Sequence, residues 1–255
     1  ARSGSLWWAG PNDGNPYNLQ SIADQISGIM LCNGILGALV NQKETGKGQK
    51  VDVSHLGSMM WLGGNRYGMA LLTGNEPGGQ ERKSARNPLW NCYKCSDDDW
   101  IAFAMNQSDR YWPSFCEAIE RPDLNENERY RNMGVRTENR VELIAKLDDV
   151  FISKPRAYWI QRMDSTEGII WEKVQSIWDL PEDPQVVQNN YIINFEHPAL
   201  GPVKYLQTPF QYSETPIETK LPAPELGQHT EEILTETLGY TWEDIANFQD
   251  QGTII

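Results

Sequence analysis

Asp24 lies where a polar, glycine-punctuated stretch gives way to a long segment of periodic apolar residues. At the start of a helix, free backbone N–H groups and the helix dipole favour an ionised carboxylate. A carboxylate held in that state can act as a nucleophile toward an activated carbonyl. Asp is also a preferred helix N-cap residue. The local sequence therefore predicts either a simple helix cap or a covalent catalyst at Asp24.

Other chemistry is less clearly indicated. Cys92 and Cys95 have the spacing of a redox or metal-binding pair, but no second pair follows, and the three histidines are scattered. The segment around the two cysteines alternates like a strand, in which residues three apart point to opposite faces. We therefore expect reduced structural thiols and no metal, capping or packing roles for His55 and His229, and no Ser or Cys triad.

The net charge of −13 argues against nucleic acid and against an anionic membrane surface as the main partner. A polyanionic small ligand would need a local basic cluster. Two clusters qualify: Lys43, Lys47 and Lys50, and then Arg82, Lys83 and Arg86. No secretory signal is visible, and we expect no apolar run close to the ~20 residues that span a bilayer. The sequence predicts a soluble, cytoplasmic protein.

The region around Asp24 has the pattern of an α/β unit. Residues 22–42 carry a helical apolar stripe, and Gly46 and Gly48 follow it, as glycine does past a helix end. Residues 49–54 alternate as a strand does, and Ser54 can cap a second helix.

The rest of the chain alternates between breaker-rich stretches and short elements. We expect a hairpin over 93–104 and helices over 108–120, 137–152 and 155–163. A short helix over 184–190, strands over 191–196 and 202–206, and helices from Thr230 and Thr241 complete the pattern. The predicted division is a large-domain part (1–72), a linker (73–88), a small α+β domain (89–167), a second linker (168–183) and a C-terminal return to the large domain (184–255).

Five sequence blocks in order resemble the family III CoA-transferases, a family that also contains α-methylacyl-CoA racemase. They are Ala23-Asp24-Gln25-Ile26-Ser27-Gly28 with Gly34 to Leu39; Thr45 to Ser54; Asn87-Pro88 to Lys94 with Trp100-Ile101; His197-Pro198 with Gly201 and Thr208-Pro209-Phe210; and Pro224 to Leu234 with Leu238-Gly239-Tyr240.

The resemblance implies an α/β fold, with a Rossmann-like large domain and a smaller α+β domain, in an interlocked dimer. Family members have a substantial portion before the Asp24 block. It supplies the opening strands and most contacts to the CoA nucleotide. We therefore expect that this chain starts in mid-protein, and that it works as a homodimer or with a companion chain carrying the N-terminal half.

The resemblance also implies a reaction and its residues. Asp24 would be the nucleophile that exchanges CoA between an acyl-CoA and a carboxylic acid, through mixed anhydrides and an aspartyl-CoA thioester. Gly78, Gly79 and Gln80 would form a glycine-rich lid over the site. Arg82, Lys83 and Arg86 would bind CoA phosphates or the acid. Acyl-CoA enters as a substrate, and no metal is needed because thioester and anhydride are already activated.

Two alternatives stay open. The first is a racemase or epimerase, in which Asp24 carries a proton. The racemase branch typically has more glycine directly after this Asp, so Gln25-Ile26-Ser27 favour the transferase. The second is a non-catalytic subunit of a heteromeric transferase. The donor and acceptor acids are not indicated.

Overall fold

A computed structural model describes residues 2–10, 18–75 and 81–254 of the chain. Helices alternate with two small antiparallel sheets, which confirms the predicted mixture of helix and sheet. The chain forms two compact units, residues 1–174 and 175–255. The boundary between the units falls in the predicted linker 168–183, and the finer division of the chain stays a prediction.

The first unit holds nine α-helices and three strands among its described residues. The helices are α1 (Ser5–Trp8), α2 (Ile22–Thr45), α3 (His55–Leu62), α4 (Gly64–Thr73), α5 (Ser108–Ala118), α6 (Pro122–Glu126), α7 (Met133–Glu138), α8 (Arg140–Phe151) and α9 (Arg156–Asp164). The strands are β1 (Cys92–Lys94), β2 (Trp100–Phe103) and β3 (Trp171–Lys173), and short 3-10 turns cover Arg82–Ser84 and Glu128–Tyr130.

Helix α2 ends where the sequence predicts. Gly46 adopts a left-handed φ of 72°, and its N–H donates to the carbonyl of Gln42 at 2.8 Å. This conformation costs glycine little because glycine has no Cβ.

The expectation that no apolar run is long enough to cross a bilayer is wrong for α2. The helix has 24 residues and a window of mean hydropathy 1.4, which is sufficient by length and composition. Gly, Ala and Cys fill the spaces between its large apolar residues, so few charges interrupt it. The same composition is found in helices enclosed on all sides by protein.

The predicted strand over 49–54 is also wrong. This segment is extended but pairs with no strand in the part of the chain that the structure describes. It lies instead against α2, where a Cβ added to Gly34 would stand 2.8 Å from Cγ1 of Val51. Ser54 then caps α3, as predicted, by accepting a hydrogen bond from the N–H of Gly57 at 3.0 Å.

The three strands and the surrounding helices enclose the main core. Strand β1 pairs antiparallel with β2, which confirms the predicted hairpin, and β2 pairs antiparallel with β3. Strand β3 was not predicted, because its residues lie in a stretch interpreted as a linker. Aromatic side chains dominate the core, and ring centroids lie 5.0–5.5 Å apart between Phe151 and each of Tyr93, Phe103 and Trp159.

The buried guanidinium of Arg136 links several elements at the edge of this core. The side chain of Arg136 is 1% exposed, and it donates to the carbonyl of Tyr130 at 2.6 Å and to Oγ of Ser108 at 3.1 Å. It also pairs with the Asp109 carboxylate and lies over the Trp112 ring at 4.7 Å. Burial lowers the pKa of Arg136, and Asp109 opposes that shift. The cation thereby joins α5, α7 and the turn between them.

The second unit contains α10 (Pro184–Gln188), a hairpin of β4 (Ile192–His197) and β5 (Gly201–Leu206), α11 (Thr230–Glu232) and α12 (Trp242–Asp250). Nδ1 of His197 accepts the N–H groups of Ala199 and Leu200 at 3.1 and 3.2 Å, and Gly201 has a φ of 72°. These residues shape the hairpin turn. Thr241 and Asp244 form a reciprocal cap on α12, where a helix was predicted to begin.

Substitution of Gly34 tests the contact between α2 and the extended segment. We expect Gly34→Ala to lower the free energy of unfolding by about 1–2 kcal/mol, because the added methyl collides with the stiff Val51 side chain. The matched control is Gly37→Ala in the same helix, where a Cβ meets nothing within 4 Å. That change should be neutral or stabilising by up to about 1 kcal/mol.

Denaturant unfolding of the two variants beside the wild type measures the difference. Equal stability of the Gly34→Ala and Gly37→Ala variants would contradict the close approach of Val51 to α2.

Candidate active site

Asp24 lies in the first turn of α2 but is not its cap. Ser21 occupies the N-cap position with a left-handed φ of 57°, and Asp24 is the third helical residue. The interpretation of Asp24 as an N-cap is therefore wrong. Its side chain is 75% exposed, so the carboxylate is open to a ligand from solvent.

His55, the first residue of α3, lies beside this carboxylate. Its Nε2 is 3.6 Å from Oδ1 of Asp24. Its Nδ1 lies 2.8 Å from Oγ of Ser27 and 3.2 Å from the carbonyl oxygen of Ala23. The expectation of a mere capping or packing role does not describe these contacts, and no sequence pattern indicated that Ser27 and His55 would pair.

The chain folds back to bring these residues together. Val51 contacts α2 near Gly34, whereas His55 contacts it near Ser27. The segment between them thus runs antiparallel to α2, toward its N-terminus. Asp24 and His55, 31 positions apart, meet where the first turns of two helices converge.

The predicted cluster of Arg82, Lys83 and Arg86 is divided by the fold. Arg82 makes a two-pronged ion pair with Asp148 on α8, at 2.7 and 2.9 Å, and also donates to the carbonyl of Cys92 at 3.3 Å. The hydrogen bond to Asp148 raises the pKa of Arg82. Lys83 and Arg86 are exposed. No hydrogen bond or ion pair among the described residues joins this cluster to Asp24.

Three other predicted groups have different outcomes. Gly78, Gly79 and Gln80 lie outside the described residues. In the basic cluster of Lys43, Lys47 and Lys50, the Lys50 ammonium pairs with Asp52 at 3.0 Å on an exposed surface. His229, at the start of α11, contacts the carboxylate of Glu232 at 2.9 Å.

Cys92 and Cys95 are free thiols at opposite ends of the edge strand β1, which Cys92 begins and Cys95 directly follows. Burial raises the pKa of Cys95 to about 11 and that of Cys116 to about 12. Burial also raises the pKa of Cys92, against an opposing effect of Arg82. Thiolates are the reactive form, so these groups have the properties of structural thiols. The residues that the structure describes contain no cluster of three or more potential metal ligands.

The surface around the two converging helices is apolar and open. Large side chains of α2 are more than half exposed, including Ile29, Leu36, Leu39 and Val40. A groove of about 510 Å³ lies at the junction of α3 and α4 and is lined by residues from Trp61 to Arg66. Asp24 is not among its lining residues, so the carboxylate stands on an open surface.

Comparison with known proteins identifies the family. The sequence profile of CoA-transferase family III matches residues 1–230, and the chain belongs to this family. It is 30% identical over 235 residues to the (R)-2-hydroxy-4-methylpentanoate CoA-transferase of Clostridioides difficile, covering 91% of this chain and 57% of that protein. It is 25% identical over 255 residues to the human succinyl-CoA:glutarate CoA-transferase, covering 100% of this chain and 58% of that protein.

A solved structure has the same fold. A CaiB/BaiF family protein from Brucella suis superposes with a TM-score of 0.77 at 21% identity, over 92% of this chain and 60% of that chain. The chain thus spans about 57–60% of the length of these three relatives.

Thiol labelling tests the assignment of the cysteines. In the folded protein at pH 8, we expect only the exposed Cys32 to react quickly with a thiol reagent, and Cys95 and Cys116 to react only on unfolding. Burial raises the pKa of Cys95 from its ordinary value of 9.0 to about 11. The buried neutral thiol therefore contributes fully to the stability of the folded state below pH 9, and this contribution is lost as the pH rises through about 11.

The measurement is the number of thiols labelled rapidly with and without denaturant, and the control is Cys32→Ser, which should abolish the fast phase. Rapid labelling of Cys95, or its ready oxidation to a disulfide with Cys92, would contradict the structural role.

Proposed function

We propose that the protein containing this chain transfers CoA between an acyl-CoA and a carboxylic acid, with Asp24 as the covalent nucleophile. Membership of CoA-transferase family III and the names of the relatives support CoA transfer. The observation that carries the assignment to Asp24 is its exposed carboxylate in the first turn of α2, beside the imidazole of His55.

The first half of the reaction loads CoA onto the enzyme. The Asp24 carboxylate attacks the thioester carbonyl of the donor, which forms a mixed anhydride and expels CoA as a thiolate. The thiolate then attacks the Asp24 carbonyl of the anhydride. This second step releases the donor as a carboxylate and leaves an aspartyl-CoA thioester.

The second half reverses the sequence with a different acid. The acceptor carboxylate attacks the aspartyl-CoA thioester, giving a second anhydride and CoA thiolate. The thiolate attacks the acceptor carbonyl, which yields the new acyl-CoA and restores the Asp24 carboxylate. Covalent catalysis of this kind replaces one difficult exchange by several easier steps.

Each attack places negative charge on a carbonyl oxygen, so fixed hydrogen-bond donors lower the barriers. Gly78, Gly79 and Gln80 are proposed as a lid that supplies such donors and excludes water from the anhydrides. Lys83 and Arg86 are proposed to bind CoA phosphates or the acid from their exposed positions. Arg82 retains its proposed place in the cluster, although its pairing with Asp148 makes it the most restrained of the three.

The site is proposed to be completed by other polypeptide, from a second copy in a homodimer or from a companion chain. The exposed apolar residues of α2 support this, because a large exposed apolar patch normally marks a surface that another chain covers. A cytoplasmic location is also proposed, because the proposed reaction takes acyl-CoA as its substrate.

Chemical trapping of the aspartyl intermediate tests the proposal. The assembled enzyme is incubated with a panel of acyl-CoA donors, quenched with hydroxylamine, and digested for mass spectrometry. We expect a donor-dependent hydroxamate on Asp24. Asp24→Asn should abolish it and lower the transfer rate by at least about 10³-fold, since a covalent nucleophile is lost. The matched control is Asp52→Asn, an exposed acid on the neighbouring segment, which should retain activity.

An unmodified Asp24 peptide with every donor, from a preparation that binds CoA, would refute the nucleophile. Exchange of the α-hydrogen of an acyl-CoA with deuterated water, without CoA exchange, would instead support the racemase.

A further inference from the structure

We propose that His55 is a catalytic hydrogen-bond donor to the acyl oxygen of Asp24, and that Ser27 and the Ala23 carbonyl hold its ring for this role. The inference rests on the proposed function, because it concerns the two steps in which the Asp24 carbonyl is itself attacked. In those steps the negative charge develops on an oxygen of Asp24, next to the Nε2 atom of His55.

The geometry fixes the imidazole from one side. Nδ1 contacts Oγ of Ser27 at 2.8 Å and the Ala23 carbonyl at 3.2 Å, so two partners on α2 hold one edge of the ring. Ser27 is 8% exposed and is the buried residue of α2, which makes it a firm anchor. The opposite edge then directs Nε2 toward Oδ1 of Asp24, at 3.6 Å.

Protonation at Nε2 is the arrangement that the Asp24 carboxylate, 3.6 Å away, favours. If the Ser27 hydroxyl donates to Nδ1, the neutral ring carries its proton on Nε2, and Ser27 alone holds Nδ1 because the Ala23 carbonyl can only accept. If the ring is cationic, both nitrogens donate, and the Ala23 carbonyl also accepts. The remaining form would point a lone pair at an ionised carboxylate, which is electrostatically unfavourable.

A purely structural role does not account for His55. The cap of α3 is the Ser54 side chain, which accepts from the N–H of Gly57, so His55 is not needed to cap this helix. The His55 side chain is 65% exposed, so it contributes little to packing. Its polar contacts all converge on the first two turns of α2, around Asp24.

A hydrogen-bond donor at the position of Nε2 would assist the steps in which the Asp24 carbonyl is attacked. When CoA thiolate attacks the anhydride carbonyl of Asp24, or an acceptor carboxylate attacks the aspartyl-CoA thioester, Oδ1 becomes an oxyanion. A donor already fixed beside it stabilises that charge without reorganisation. The 3.6 Å separation matches the loose contacts of an unliganded site, which shorten when charge develops.

Two amide variants distinguish the roles of the two ring nitrogens. The amide nitrogen of Gln can reach the position of Nε2, so His55→Gln keeps the donor to Asp24 and loses the contact at Nδ1. The amide of Asn reaches the position of Nδ1, so His55→Asn keeps the anchor to α2 and loses the donor. The readouts, on the assembled enzyme, are single-turnover rates of aspartyl-CoA formation and of its discharge by the acceptor acid, with KM for the donor.

We expect His55→Asn to slow both steps by about tenfold, the effect of one lost donor to a developing charge, with KM unchanged. His55→Gln should stay within about threefold of the wild type. Ser27→Ala removes the hydroxyl that holds the ring but keeps Nε2, so it should slow the same steps by a smaller factor. If the His55→Asn variant does not fold, the rates of Ser27→Ala provide the test. The control is His229→Asn, distant in sequence and paired with Glu232, which should match the wild type.

Equal rates for His55→Asn and the wild type, or equal losses for the Asn and Gln variants, would overturn the inference. Absence of any aspartyl-CoA in the wild type would instead refute the proposed function, so the two failures are distinguishable.

Discussion

The close approach of Val51 to Gly34 is the constraint on which the candidate site depends. Without a Cβ at Gly34, the extended segment after α2 can lie directly against the helix and run back toward its first turn. That path delivers His55 to Asp24 and Ser27. The site thus depends on the contact between the Val51 side chain and Gly34 in the middle of α2, about ten residues from Asp24.

The main core, by contrast, owes little to α2. Its aromatic side chains come from residues beyond 88, and the buried Arg136 closes one edge through neutral and charged partners. Such a buried cation is tolerated because its two terminal nitrogens donate to nearby oxygens and Asp109 balances its charge, although Nε has no partner. Arg82 lies at the edge of this core, where its ion pair with Asp148 joins the segment before β1 to α8.

Much of this organisation could be predicted from local signals. Gly46 ends α2 and Ser54 begins α3 because both act through backbone groups only a few residues away. The hairpin of β1 and β2 was equally local. The strand over 49–54 was predicted wrongly because alternation specifies an extended segment, whereas a strand also needs a hydrogen-bonding neighbour. Strand β3 was missed because its hydrogen-bonding partner, β2, lies about 70 residues earlier, so no local pattern indicated the pairing.

Long-range pairing also explains what the sequence could not reveal about the site. The resemblance to family III indicated Asp24, and the structure describes its setting. The neighbours of a side chain in space, such as Asp148 for Arg82 or His55 for Asp24, depend on how distant segments meet. Arg82 looked like an available cation because its acid is 66 positions away, and His55 looked incidental because Ser27 is 28 positions earlier.

The apolar surface of α2 has a consequence for the behaviour of the chain in solution. Burial of that surface by the proposed second polypeptide would lower the free energy, and the stability of this region would then be coupled to association by mass action. The surroundings of Asp24 would then vary with protein concentration. Dilution alone, without any change of sequence or ligand, would loosen the helix that carries the carboxylate.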